Sequence, residues 1–136
     1  MSFRYNRDQH MEYLHHTDRI GLRWIDVFQG NTEFYSAAYW DLFTRMWRNG
    51  APVRKTDVLG FMKGIKSAHT AGKYLDTAID HGLLIETDNP EDARSKLLSL
   101  SPVMEDRLDE FFDSAVGELC RACRVIDTKG PSPEEP

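Results

Sequence analysis

The sequence predicts an α+β fold, mainly α, and three observations predict it. Apolar residues recur at helical spacing near both ends of the chain, in 7–28 and 101–126. The middle holds a short helical stretch, a glycine turn and a second helical stretch, between residues 56 and 82. Two short runs of strand character, 83–87 and 95–100, are joined by turn residues. The 136 residues suit a single domain that buries a core without disulfides or metal.

In the first helix, Leu14, Ile20, Gly21, Trp24, Val27 and Phe28 fall near a 3.6-residue repeat, and Gly30-Asn31 marks its end. Thr32 is expected to cap a second helix to about Arg48, stopped by Asn49-Gly50-Ala51-Pro52. Phe34, Tyr35, Tyr39, Trp40, Phe43 and Trp47 spread around more than one face of it, which predicts burial on several sides. Thr56 is the expected cap of a short helix ending at Met62. Lys63-Gly64-Ile65-Lys66 reads as a tight turn with Gly64 at positive φ. Ser67 then opens a helix carrying Ala71, Tyr74, Leu75, Ala78 and Ile79, closed by His81-Gly82. This is a helix-turn-helix arrangement.

Leu83 to Thr87 and Ser95 to Leu100 read as a hairpin with a polar tip at Asp88-Asn89-Pro90-Glu91-Asp92, a wing beside the helices. Ser101 and Pro102 start the last helix, with Glu105 and Asp106 in its favourable first turn. Its expected apolar stripe is Leu108, Phe111, Phe112, Ala115, Leu119 and Cys123. Residues 127–136 are rich in Pro and Glu, and disorder is expected there.

A net charge of −5 speaks against nucleic-acid binding until its location is considered. The acidic excess lies entirely after residue 100, and residues 61–75 carry Lys63, Lys66 and Lys73 with no acid. No apolar stretch reaches the roughly 20 residues a bilayer requires, and no signal peptide is expected, so the expected location is the cytoplasm. Two cysteines, Cys120 and Cys123, exclude a disulfide framework, and packing is the favoured reading for them over redox sensing. His10, His15, His16 and Glu12 do not converge as metal ligands on one helix, and no metal is expected. No phosphate loop, dinucleotide fingerprint or nucleophile elbow occurs, so neither catalysis nor a cofactor is expected.

The run Lys66-Ser67-Ala68-His69-Thr70-Ala71-Gly72-Lys73-Tyr74-Leu75-Asp76 leads through His81-Gly82-Leu83-Leu84-Ile85-Glu86 into Asn89-Pro90-Glu91-Asp92-Ala93-Arg94-Ser95-Lys96-Leu97-Leu98-Ser99-Leu100-Ser101. It resembles the recognition helix and wing of the MarR (multiple-antibiotic-resistance regulator) family, whose wing follows D-P-x-D-x-R-x-x-x-x-x-L-[TS]. Asp92, Arg94, Lys96, Leu98, Leu100 and Ser101 stand at the expected relative positions. Ala93 stands where the family often has a second arginine, and Met104 where a glycine commonly follows the wing. The motif covers about 53–101, and the helix order extends the likeness to about 7–126.

The resemblance implies one domain over 1–126, with a winged helix-turn-helix at 53–100. Residues 7–52 and 101–126 would supply flanking N- and C-terminal dimerisation helices. It implies a homodimeric DNA-binding regulator, a repressor at a palindromic operator on double-stranded DNA, released by a small aromatic effector. Lys66, Ser67, His69, Thr70 and Lys73 would face the major groove, where helix side chains reach base edges and phosphates. Arg94 and Lys96 would come from the wing, with Asp92 holding its shape, and Arg94 would enter a minor groove. Trp24, Tyr35, Tyr39 and Trp40 would line the effector site. The alternative left open by the residues is a winged-helix protein–protein interaction module without DNA binding.

Overall fold

The structure is a computed structural model and describes residues 2–131. Its helices are α1 (Arg7–Val27), α2 (Ala37–Asn49), α3 (Lys55–Val58), α4 (Ala68–Asp80) and α5 (Pro102–Thr128). The strands are β1 (Val53–Arg54), β2 (Leu84–Asp88) and β3 (Lys96–Leu100). The residues form two compact units, one from the chain up to Gly30 together with the part from Asp109 onward, the other Asn31–Leu108.

In the first unit, α1 begins with a capping box: Asn6 accepts from the Gln9 backbone and Gln9 from that of Asn6. The same two side chains donate to the far end of α5, Gln9 Nε2 to Ile126 O at 3.1 Å and Asn6 Nδ2 to Lys129 O at 2.9 Å. The helices therefore run antiparallel, tied at this end by polar contacts. Further along, Trp24 sets its ring edge-on to Phe28 and Phe111, with centroids 5.0 and 5.2 Å away. Between these two contacts the buried pair His16 and Glu118 joins the helices through a hydrogen bond at His16 Nδ1. The inward stripe of this part of α5 is thus Phe111, Glu118 and Ala122, while Leu119 and Cys123 face outward. A charged residue takes the inward place because histidine and arginine partners meet it there.

The second unit packs α2, α3 and α4 against a three-stranded antiparallel sheet ordered β1-β3-β2. Leu42, Phe43, Val58, Leu75, Ala78, Leu98, Met104 and Leu108 lose all contact with solvent in its core. On α4, Ala71, Leu75 and Ala78 recur at helical spacing and form the buried side. The helix ends as expected: Gly82 takes φ +72°, which lets Leu83 N–H reach the Ala78 carbonyl at 3.0 Å. Cross-strand register pairs Leu84 with Leu100, Glu86 with Leu98 and Asp88 with Lys96. The two-residue strand β1, pairing Val53 with Leu98, has no sequence signature of its own and was not expected.

Several local expectations are corrected. Residues Thr32–Phe34 form a 3-10 turn capped by Asn31, and α2 starts later with Ser36 as cap, accepting from Tyr39 N–H at 3.3 Å. Tyr35, at ψ 77°, breaks the helix between them. Thr56 lies inside α3 and does not cap it, because β1 leads directly into the helix. The turn at Lys63-Gly64 exists, but Gly64 is not among the residues with positive φ. Burial of α2 takes in Tyr39, Leu42, Phe43 and Met46 on one face and Thr44 on the opposite one, but Trp40 and Trp47, expected to be buried, remain 42% and 40% exposed. Cys120 and Cys123 are free and exposed, so packing does not explain them. Of the tail expected from residue 127, Asp127 and Thr128 belong to α5, and residues 132–136 lie outside the described ones. Among the described residues no helix is long and apolar enough to cross a membrane.

Candidate nucleic-acid interface

The buried stripe of α4 leaves its opposite side, beginning with His69, Thr70 and Lys73, in solvent. Ser67 caps the helix, its Oγ accepting from Thr70 N–H at 3.3 Å. The cap fixes where the first turn starts and therefore where His69 and Thr70 project. Lys63 and Lys66, in the turn and the approach to the helix, are also exposed. Among the described residues none of Lys63, Lys66 and Lys73 has an ion-pair partner, so their charge is available to an anionic ligand. Charge changes sign along α4: Asp76 and Asp80 are exposed toward its C-terminal end, and Asp76 lies 3.8 Å from Lys55. The basic front coincides with the positive end of the helix dipole.

The wing tip is built from two consecutive side-chain-to-backbone turns. Asn89 Oδ1 accepts from Glu91 N–H at 3.0 Å, and Asp92 Oδ1 accepts from Arg94 N–H at 3.0 Å. Asn89 Nδ2 donates across the loop to Ser95 Oγ at 2.9 Å. Asp92 therefore holds the backbone of the residue that carries the wing's outermost charge. The Arg94 side chain is 95% exposed, with Nε 3.8 Å from the Asp92 carboxylate. Lys96 differs: its ammonium donates to Asp88, the residue directly opposite on β2, and its charge is locally neutralised. Farther down the same hairpin, Lys55 of α3 donates to Glu86 at 2.7 Å and pins the strand to the helix-turn-helix. Sequence reasoning missed Asn89, Ser95 and the Lys55–Glu86 tie. Asn89 had a usable signal, an Asx residue two positions before the backbone N–H it accepts from.

The four aromatic candidates are of two kinds. Tyr39 is buried among Phe34, Phe43 and Tyr74, and its hydroxyl donates to the Tyr74 carbonyl at 3.0 Å. Burial is the main cause that pushes its phenol up to about 12. Trp24 is likewise a core residue, in the other unit. Tyr35 and Trp40 present much of their rings to solvent. Among the described residues no three His, Cys, Asp or Glu side chains gather in a way that could hold a metal ion.

No protein-family model and no curated protein matches this sequence. Solved structures do match. A MarR-like transcription regulator from Bacillus cereus superimposes with a TM-score of 0.52 at 15% identity, over 87% of this chain and 81% of that one. The chain thus shares a winged-helix fold with that MarR-like regulator. The PcaV transcriptional regulator from Streptomyces coelicolor aligns at a TM-score of 0.47 and 17% identity, over 93% of this chain and 85% of that one. BpsR of Bordetella bronchiseptica, whose DNA binding is regulated by 6-hydroxynicotinic acid, aligns at 0.46 and 19% identity, over 89% and 87%. In that fold α4 is the second helix of the helix-turn-helix and the β2–β3 hairpin is the wing.

Proposed function

We propose that this chain is a sequence-specific DNA-binding transcriptional regulator, acting in the cytoplasm as a homodimeric repressor on a palindromic operator. The observation that carries the reading is the exposed, unpaired basic front of α4 on a winged-helix fold whose wing ends in an outstretched arginine. His69 and Thr70 would read base edges, Lys63, Lys66 and Lys73 would meet phosphates, and Arg94 would enter a narrow minor groove. Ser67 and Asp92 would serve by fixing the helix front and the wing tip. Release by a small aromatic effector is proposed from the family resemblance, with the exposed rings of Tyr35 and Trp40 as the surfaces that would receive it.

A winged-helix protein-interaction module is the second reading. It is favoured by the net charge of −5 and by the acidic C-terminal half of α4. Selection of duplexes from a random pool by the purified chain separates the two. A regulator enriches paired half-sites about 10–10.5 base pairs apart or a multiple of that, and its affinity falls steeply with salt. A pool that yields no enriched sequence at low salt overturns the regulator reading in favour of the interaction module.

A further inference from the structure

In the first unit, α1 and α5 border an open groove of about 430 Å³, the size of a small-molecule site. Arg19, Arg121, Arg124 and His15 line it, together with the buried pair His16 and Glu118. The carboxylates of the groove are already engaged. Glu118 is held by His16, by Arg121 at 3.3 Å and by Arg19 at 3.6 Å. Glu12 lies 3.3 Å from His16 Nε2 and 3.4 Å from Lys129 Nζ. Positive charge is left over. Arg19 and Arg121 each offer Glu118 one nitrogen while more than half of each side chain stays in solvent, and among the described residues Arg124 has no ion-pair partner. The buried His16 also lacks something: its Nε2 is the one buried side-chain polar atom among the described residues without a hydrogen-bond partner. A buried polar atom without a hydrogen bond is costly, and this one lies beneath the cationic groove beside the Glu12 carboxylate.

We propose that this groove binds a small organic oxyanion, a carboxylate or a phosphate, between the guanidinium groups of Arg19, Arg121 and Arg124. Their remaining N–H donors match the oxygens of either group. The aliphatic side chain of Val125 gives the carbon portion of the ligand a surface to cover. The site belongs to the α1–α5 unit and is distinct from the basic front of α4.

The test uses the full chain with inorganic phosphate and with succinate as probes, added at millimolar concentration in a low-anion buffer. At least one probe raises the Tm and shifts the imidazole NMR signals of His15 and His16. Arg124→Ala weakens that binding by about tenfold, the loss of one charge-assisted contact, and leaves the Tm without probe unchanged because no partner is lost. Arg124→Lys, which keeps the charge and loses the planar fork, falls between. Response to one probe and not the other identifies the anion. Lys73→Ala, on α4, leaves binding intact. The proposal is overturned if neither probe shifts the histidine signals, or if Lys73→Ala weakens binding as much as Arg124→Ala does. No DNA enters these measurements, so their outcome is independent of what α4 reads.

Discussion

Asp88 and Lys96 face each other across the β2–β3 ladder, and the Lys96 ammonium donates to the Asp88 carboxylate. That hydrogen bond, with the lysine's charge, holds the Asp88 carboxyl below its ordinary range. The Lys96 charge is therefore closely compensated, while the nearly fully exposed Arg94 has only a long 3.8 Å pair with Asp92. Arg94→Ala is expected to weaken operator binding, most on sites with a narrow A·T-rich minor groove, and Lys96→Ala to change it much less. Asp88→Asn should free the lysine, tighten binding and steepen the salt dependence by about one phosphate's worth, roughly 0.9 in logarithmic slope. Isotherms at several salt concentrations check all three. A looser complex with Asp88→Asn would show that the pair shapes the wing and does not mask a charge.

The front of α4 separates charge reading from base reading. Lys73→Ala should weaken binding to every duplex alike and flatten the salt slope by about one unit. Thr70→Ala should instead relax preference at one position of the site, at about 1–3 kcal/mol for a lost base contact. A panel of single-base operator variants distinguishes the two. Equal effects on all variants for both substitutions would remove α4 from base recognition.

Gly72 lies inside α4, where glycine costs a helix about 1 kcal/mol relative to alanine. A methyl group built there meets no atom within 4 Å, so the fold does not demand the glycine. Gly72→Ala should therefore raise unfolding stability by about 1 kcal/mol, measured by denaturant titration. If the same variant loses DNA affinity, the glycine is kept for close approach to the duplex.

What the sequence made legible follows physical range. The Ser67 cap, the Gly82 stop and the wing hairpin depend on neighbours within a few residues, and each stands within a residue or two of where it was expected. Ser36 displaced Thr32 as a cap because two hydroxyl residues competed and only the backbone break at Tyr35 decides between them. Strand β1 exists only because β3 offers it an edge, a contact 45 residues away in sequence at Val53↔Leu98. Glu118 was hidden for a similar reason: a glutamate reads as surface until His16, on a different helix, is known to lie against it. At the interface, the residue types on α4 were readable, but the masking of Lys96 by Asp88 required the strand register.

The His16–Glu118 pair makes acid stability testable. The hydrogen bond from His16 first, then the nearby Arg121 and Arg19, hold the Glu118 carboxyl below its ordinary value of 4.5. A carboxylate depressed in the folded state contributes stability that is complete above that ordinary value. The contribution is lost as pH falls through the lower folded value. Glu118→Gln should therefore be less stable than the parent near neutrality, with the gap closing as pH drops below the ordinary carboxylate value. Denaturant melts across this acidic range supply the check, and a gap that stays constant would mean the glutamate acts through packing alone.

The last expectation concerns the outward side of α5. Leu108 and Phe111 turn into the protein, but Val116 and Leu119, three residues apart on one helical face, are each 59% exposed. Exposed apolar pairs on a long helix mark a surface that gains from being covered, and a two-fold copy of the same helix would cover it symmetrically. Such a dimer also presents two copies of α4 to a palindromic site. Sedimentation of the purified chain at micromolar concentration should give twice the chain's mass. Leu119→Asp places a charge in that interface, so it should yield a monomer with unchanged helix content by circular dichroism. The monomer should lose most affinity for a paired site while keeping weak binding to a half-site, because the second recognition helix no longer adds its contacts. A parent chain that sediments as a monomer with Val116 and Leu119 in solvent would leave the palindromic operator without a structural basis, and binding would then have to be explained by one winged unit alone.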